Sequence, residues 1–314
     1  MSNQLVTVDN FARAETDTMF AAILKETGGI GQWAHNRVPT PLDRQTIIRM
    51  NQDTLYSTAL VDISEGATVT LPDGGTRYVS VMVVNQDHYV NRVLHAPGEH
   101  HLTIDEFDTP YVVLAARILV DPADPEDVAA VNRLQDQLAV SSVSSRSFAP
   151  PAYDAASYTA TRNAVLELAR HGGGFGRAFG RKADVDPIQH LLGTAAGWGG
   201  LPREEAFYQS SEADLPLGEF KIDVGEVPVD AFWSISLYNR EGYFEPNARN
   251  LNSVNSITAA RNADGTVTVN FGVSDDDKPN YLPIMDGWNY LVRLYRPHPE
   301  ILDGSWTFPS IQPA

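Results

Sequence analysis

The run "IIRMNQDTLYST" at residues 47–58 alternates so that an extended chain places Arg49, Asn51 and Asp53 on one side and Met50, Gln52 and Thr54 on the other. A face reading Arg-x-Asn-x-Asp does not suit an apolar core, so this strand predicts either a solvated surface or the wall of a polar cavity. Upstream, residues 9–27 ("DNFARAETDTMFAAILKET") carry Phe11, Met19, Phe20, Ile23 and Leu24 as the apolar positions of a helix, with Asp9 as its expected cap and Gly28-Gly29 as its stop. "GQWAHNRVPTPLDRQ" then has the prolines and turn formers of a surface connection. From Thr46 the pattern is strand-like. "ATVTLPDGGTRYVSVMVVN" reads as two strands closed by Pro72-Asp73-Gly74-Gly75, a hairpin signal, and "HHLTI" and "PYVVLAARILV" add two more strands.

Helical spacing returns in three segments. The first opens at Asp124-Pro125-Glu126-Asp127 and carries Val128, Val131, Leu134 and Leu138; the second runs from about Asp154 to Arg170; the third starts at Asp186-Pro187 and stops at Gly197. The C-terminal region returns to strands in "FKIDV", "AFWSISLYN", "TVTVNFG" and "YLVRLYRP", separated by turn formers. Strands without strand-helix alternation argue against a doubly wound parallel sheet. The expected fold is α+β, mainly β: two antiparallel β-sandwich or jelly-roll-like domains joined by a helical block, plus an N-terminal helix. The expected bounds are 1–45 for the helix and connection, 46–121 for the first β domain, 122–200 for the helical block and 201–314 for the second β domain.

With 314 residues, 43% of them apolar, the chain is long enough for two cores. It holds no apolar stretch of about 18 residues, and "MSNQLVTVDNFARAETD" lacks the basic and apolar parts of a leader. A soluble, cytoplasmic protein without membrane insertion is expected. The absence of cysteine removes disulfides, thiolate metal sites and cysteine nucleophiles. A net charge of −17 argues against nucleic-acid binding, which depends on cations that neutralise phosphates. Lysine is confined to Lys25, Lys182, Lys221 and Lys278, so the positive charge is largely arginine, whose planar fork suits carboxylate, sulfate or phosphate.

No G-x-S-x-G elbow, H-E-x-x-H, Walker loop or Rossmann fingerprint is present, and no cofactor is expected. "HGGGFGRAFGRK" follows a helix instead of a strand, which reads as a helix stop and loop. "HAPGEHH" gathers His95, Glu99, His100 and His101, but His100 and His101 would point to opposite sides of a strand, so no metal site is assigned. His190 lies on an apolar helix and reads as a hydrogen-bonded core residue. Trp198, between glycines, reads as a packing anchor or a binding platform.

At "RMNQDTLYST", "FWSISLYNREGYFEPN" and "PNYLPIMDGWNYLVRLYRPHPEILDGSWTFP" the chain resembles a bacterial family whose members carry domain of unknown function 1254 followed by domain of unknown function 1214. The likeness extends through "DNFARAETDTMF", "PTPLDRQTIIRMN", "QDHYV", "ARILVDPADPEDVAAVNRLQDQLAV" and "DPIQHLLGTAAGWGG". Two positions depart from the family pattern: Gln52 stands where Arg or Val is expected, and Tyr281 where relatives have Cys or Trp. The resemblance implies two β-sandwich or jelly-roll domains joined by helices. Hydrolysis of amphiphilic esters and binding of envelope or carbohydrate ligands are both suspected for the family.

The residues themselves give a candidate site. A buried arginine needs a partner, so Arg49 is expected to pair with Asp53, bridged by Asn51. His88 of "NQDHYVN" is the candidate general base, with Asp53 to orient it and Arg49 to hold an anionic group or oxyanion. Asn51, Tyr56, Tyr89, Trp198, Tyr238, Asn247 and Arg293 are the candidate ligand-binding residues. Ser57, Ser80, Ser234 and Ser236 carry no nucleophile signature. The reading is a cofactor-free hydrolase of an ester-like bond in a small or amphiphilic anionic substrate. Its alternatives are a binding module for an anionic or carbohydrate ligand and a structural, envelope-related subunit. Trp306 and Phe308 suggest a tail pressed on the body or on a second copy in a homo-oligomer.

Overall fold

The computed structural model describes residues 3–45, 48–211, 215–274 and 277–314. The chain groups into two compact units: unit 1 comprises Met1–Arg37, Leu55–Leu119 and Val128–Arg203, and unit 2 comprises Val38–Thr54, Val120–Asp127 and Glu204–Ala314. The chain as a whole is α+β and mainly β, with most of the helix in unit 1 and nearly all strand pairs antiparallel.

Unit 1 begins with α1 (Phe11–Thr27), then β1 (Trp33–His35), β2 (Thr54–Asp62), β3 (Ala67–Leu71), β4 (Val79–Asn85), β5 (Val90–Leu94) and β6 (Gly98–Leu102). It continues with α2 (Ile104–Phe107), β7 (Tyr111–Leu119), α3 (Pro125–Gln135), β8 (Ala139–Ser142), α4 (Ala155–Ala169) and α5 (Pro187–Ala196). A five-stranded sheet has the order β1-β2-β7-β4-β5, and a three-stranded sheet the order β6-β3-β8. Val61, Val81, Val83 and Leu114 of the first sheet share one core with Val69, Leu71 and Leu102 of the second.

The hairpin expected at Pro72–Gly75 does not form. β3 pairs with β6 and β8, whereas β4 pairs with β5 and β7. The difference lay in the pattern: "ATVTL" alternates buried and partly exposed, while "VSVMVVN" is buried on both faces and needs the middle of a larger sheet. Of the helix signals, Asp154 and Asp186 cap α4 and α5 through their carboxylates, and Gly28 ends α1 at φ 75°. At the start of α1 the cap position belongs to Asn10, not Asp9, and Asn10 makes no side-chain cap bond. The face that α1 buries includes acids: Glu15 meets the Tyr158 hydroxyl and Arg162, and Asp17 accepts from Gln86 at 2.9 Å and Tyr153 at 2.7 Å. Buried carboxylates persist only when so partnered.

Unit 2 contains β9 (Ala206–Ser210), β10 (Phe220–Val224), β11 (Trp233–Tyr238), β12 (Ser253–Asn255) and β13 (Val267–Gly272). β14 (Tyr281–Pro283), β15 (Asn289–Tyr295), α6 (Pro299–Leu302) and β16 (Gln312–Pro313) complete it. Its sheets have the orders β14-β13-β10-β16 and β12-β11-β15-β9. Ile222, Val224, Val269 and Phe271 from the first share a core with Trp233, Ile235, Leu237, Val292 and Leu294 from the second, around the fully buried Trp288. Because side chains alternate, Ser234, Ser236 and Tyr238 point to the other face of β11. The register sets Arg293 opposite Ser234, Ser253 opposite Ser236 and Asn255 opposite Ser234, so that face is polar across three strands.

Truncation of Trp288 removes a fully buried indole from the unit 2 core and its N–H bond to the Pro216 carbonyl. Trp288→Ala is expected to cost about 3–5 kcal/mol, read as a lowered urea midpoint at unchanged slope.

Candidate functional site

The segment that carries the Arg-x-Asn-x-Asp pattern belongs to unit 2 and lies on the polar face of its sheet. Thr46 and Ile47 fall outside the described residues. The expected strand starts only at Thr54; Ile48 and Arg49 form a turn, with Arg49 at φ 54°, and Met50 to Asp53 follow without a ladder. The backbone groups that a strand would pair are taken by side chains and a turn. The Arg49 N–H donates to the Gly242 carbonyl at 2.8 Å. The Arg49 carbonyl accepts from Arg293 Nη2 at 2.8 Å, and the Met50 carbonyl accepts from the Tyr238 hydroxyl at 2.6 Å and Arg293 Nη2 at 3.2 Å. Met50 also packs with Leu42 against Tyr238, Phe244 and Leu291.

Asn51 and Asp53 turn toward the sheet. Asn51 Oδ1 accepts from the Asp53 N–H at 2.7 Å, and its Nδ2 donates to the Tyr295 hydroxyl at 2.8 Å. Asp53 is 1% exposed, and its Oδ1 accepts from the Ser253 hydroxyl at 3.1 Å and Asn255 Nδ2 at 3.4 Å. The expected Arg49 to Asp53 pair is therefore not made. Arg49 instead lies over the Tyr238 ring, Cζ to centroid 5.5 Å, and among the described residues no carboxylate pairs with it. Its Nη1 is buried without a hydrogen-bond partner among the described residues.

Two guanidiniums thus share the Tyr238 ring, since Arg293 Cζ stands 6.0 Å from the same centroid. Arg293 is 3% exposed and donates to Ser236 at 2.7 Å and to Tyr238 Oη at 2.7 Å besides the two carbonyls. Burial would lower its basicity, but Tyr238, Tyr295 and Asp53 more than offset this and hold it above the usual arginine value. Arg49 is shifted the other way: burial lowers it, Tyr238 opposes, and the charge of Arg293 lowers it further. Among the described residues, Arg49 is the guanidinium of this cluster left without a hydrogen-bond partner at Nη1 or a carboxylate beside it.

His88 lies in unit 1, at the turn between β4 and β5, with φ 65°. It is 0% exposed. The Thr194 hydroxyl donates to the His190 carbonyl at 2.8 Å, so at 2.8 Å from His88 Nδ1 it accepts the ring N–H. Nε2 accepts the Gly199 N–H at 2.9 Å. Both nitrogens are thereby committed to a neutral ring, and neither faces a carboxylate. The general-base role expected of His88, with Asp53 to orient it, has no geometry here. Its ring stacks on Trp198 at 5.3 Å and lies 5.6 Å from His190, which stacks on Tyr89 at 4.5 Å. Burial, with a smaller contribution from His190, lowers its pKa from 6.5 to about 3.

The other candidates divide between the units. Tyr238 and Arg293 join Arg49, Asn51 and Asp53 in unit 2; Asn247 instead folds its own turn, its Oδ1 accepting from the N–H groups of Arg249 and Leu251. In unit 1, Trp198 donates to Thr16 and packs edge-on to Phe20, Tyr89 stacks on His190, and Tyr56 lies under the Arg117 guanidinium at 5.3 Å. His95, His100 and His101 contact the Val79 carbonyl, the Ala96 carbonyl and Thr68 respectively. Among the described residues no three His, Asp or Glu side chains gather to hold a metal, and no helix is long and apolar enough to cross a membrane. Sequence reasoning missed Ser253, Asn255, Tyr295 and Gly242. The alternation in "WSISLY" was the one local sign of a polar sheet face.

The two sheet-built units and the polar segment describe a mainly β protein of two domains. A family profile described as Protein of unknown function (DUF1254) matches residues 30–142, and one described as Protein of unknown function (DUF1214) matches residues 216–299. The chain belongs to the family built from these two domains in this order. A comparison with curated proteins finds no match. Among solved structures, the chain is similar to the VPA0106 protein from Vibrio parahaemolyticus, with a TM-score of 0.75, 17% identity and coverage of 98% of this chain and 97% of that one. It is also similar to an uncharacterised protein from Burkholderia cenocepacia, with a TM-score of 0.55, 16% identity and coverage of 96% and 86%. At these identities the likeness concerns the fold.

The folded-state pKa of His88 lies below its unfolded value, so its neutral form is the stable one. Stability is full above pH 6.5 and is lost as pH falls toward about 3, by about 1.4 kcal/mol per pH unit in that window. In His88→Phe this share of the acid sensitivity is expected to vanish, measured by urea unfolding at pH 7 and pH 4.5.

Proposed function

We propose that the protein binds a small ligand through a carboxylate, sulfate or phosphate group, and that Arg49 is the anchor. The observation that supports this is a half-buried guanidinium without a carboxylate partner among the described residues, beside a second guanidinium and over a tyrosine ring. A charge in that setting is destabilising until an anion meets it, and arginine offers an oxyanion a planar, two-pronged donor. Asp53 does not pair with Arg49: its Oδ1 accepts from Ser253 and Asn255, its Oδ2 is buried without a hydrogen-bond partner among the described residues, and its charge acts on Arg293. The two-sheet units are read as β-sandwich or jelly-roll-like frames that hold such a site rigid. Hydrolysis of an ester-like bond is the weaker reading, because the histidine it relied on has both nitrogens occupied.

Ligand screening by thermal unfolding tests the reading. Acetate, sulfate or phosphate is compared with chloride at constant ionic strength, and a ligand at about 100 times its Kd adds about 2.7 kcal/mol. The wild type is expected to gain a few degrees in Tm with at least one oxyanion, and Arg49→Gln to gain none. Arg49→Gly, which relieves a side chain held at positive φ, is expected to be as stable as the wild type or more stable by up to about 1 kcal/mol, seen as an equal or higher Tm, while losing the response. An oxyanion response of Arg49→Gln equal to the wild type would refute the assignment.

A further inference from the structure

We infer that Arg293 and Gly242 are positioning residues for Arg49, holding its backbone in a conformation that keeps its guanidinium over Tyr238. This rests on the reading of Arg49 as the anion anchor and adds what makes the anchor ready. Arg49 occupies the left-handed region at φ 54°, which an L side chain adopts only where its surroundings impose it. The surroundings are identifiable. On one side the Arg49 N–H is bonded to the Gly242 carbonyl; on the other its own carbonyl and that of Met50 both accept from Arg293 Nη2.

Arg293 does this from inside the unit. Its Nη1 donates to Ser236 and its Nη2 is divided between Tyr238 Oη and the two carbonyls, so its donors face protein and it does not meet a ligand. The ring over which Arg49 lies is fixed from three directions: Tyr238 Oη donates to the Met50 carbonyl, accepts from Arg293, and the ring stacks on Phe244 at 4.7 Å. A lysine at 293 retains the charge, but its single nitrogen cannot meet Ser236 and the acceptors of Tyr238, Arg49 and Met50 together, as the two arms of the guanidinium do.

Gly242 supplies the close approach. It adopts φ 90° in the turn after β11, and a Cβ there would lie 3.3 Å from Ile48 Cβ and 3.7 Å from Arg49 Cγ. Both the backbone angle and the crowding disfavour any other residue. Gly242→Ala therefore displaces the Ile48-Arg49 turn without altering a charge and without touching the Tyr238 ring.

The experiment is titration calorimetry with inorganic phosphate, sulfate and acetate on the full chain, for the wild type, Arg49→Gln, Gly242→Ala and Arg293→Lys. Val292→Ala, a core change in the same unit, serves as a control for general destabilisation. Gly242→Ala and Arg293→Lys are each expected to weaken the oxyanion that the wild type binds at least tenfold, while Val292→Ala lowers Tm and leaves affinity unchanged. If Arg49→Gln abolishes binding but Gly242→Ala binds as the wild type does, the positioning inference is overturned and the anchor stands. If Arg49→Gln binds normally, the anchor itself is refuted. Should Arg293→Lys not fold, Gly242→Ala decides alone.

Discussion

A single buried guanidinium organises unit 2. Arg293 stands at the middle of β15 on the face away from the hydrophobic core, where an unpaired charge would be very costly. Its donors are met by Ser236, Tyr238 and the carbonyls of Arg49 and Met50, while Asp53 lends the opposite charge from nearby. Ser236 and Tyr238 of β11, the segment 49–53 and the serine and asparagine of β12 are thus parts of one solution to one electrostatic problem. That solution has a by-product. Satisfying Arg293 with backbone carbonyls holds the Arg49 backbone but brings it no counter-charge among the described residues.

Unit 1 solves the complementary problem with acids. Glu15 and Asp17 lie on the buried side of α1, and each is met by a tyrosine hydroxyl from the chain near α4, with Arg162 and Gln86 completing the sets. The Tyr158 hydroxyl is pushed up to about 12 by burial and by Glu15, which keeps it protonated as the donor. His88 extends the same logic to a group that can titrate near neutral pH. Its neutral form is selected because one nitrogen must donate to Thr194 and the other must accept from Gly199. Burial therefore converts a residue type commonly associated with proton transfer into a strut between the β4–β5 turn and α5.

Legibility in the sequence followed the range of the interactions. The caps at Asp154 and Asp186, the stop at Gly28 and the apolar strands of both units are decided within a few residues, and they were readable. The polar face of β11 was half readable, since period-2 alternation in "WSISLY" separates Trp, Ile and Leu from Ser, Ser and Tyr. The partners of Asp53 were not, because Ser253 and Asn255 lie 200 and 202 residues away. The closure of His88 depends on Thr194 and Gly199, 106 and 111 residues on. The strand expected through Arg49 failed for the same reason: distant side chains took the backbone groups that a neighbouring strand would have used.

Arg49 differs from the carboxylate-paired arginines of the chain. Arg13, Arg37, Arg146 and Arg162 each have a carboxylate within 3.1 Å, and their charges are explained by those pairs. Arg293 is explained by its hydrogen bonds and by Asp53. Arg49 has a strained backbone, a ring beneath it and a like charge beside it, all of which raise its free energy relative to a solvated arginine except the ring, whose attraction for a cation is only about 0.5–2 kcal/mol. A purely structural role would be served as well by glycine at that φ, with the Arg49 carbonyl still available to Arg293. On the proposed reading, the cost of a side chain at this position is accounted for by the oxyanion that its guanidinium would meet.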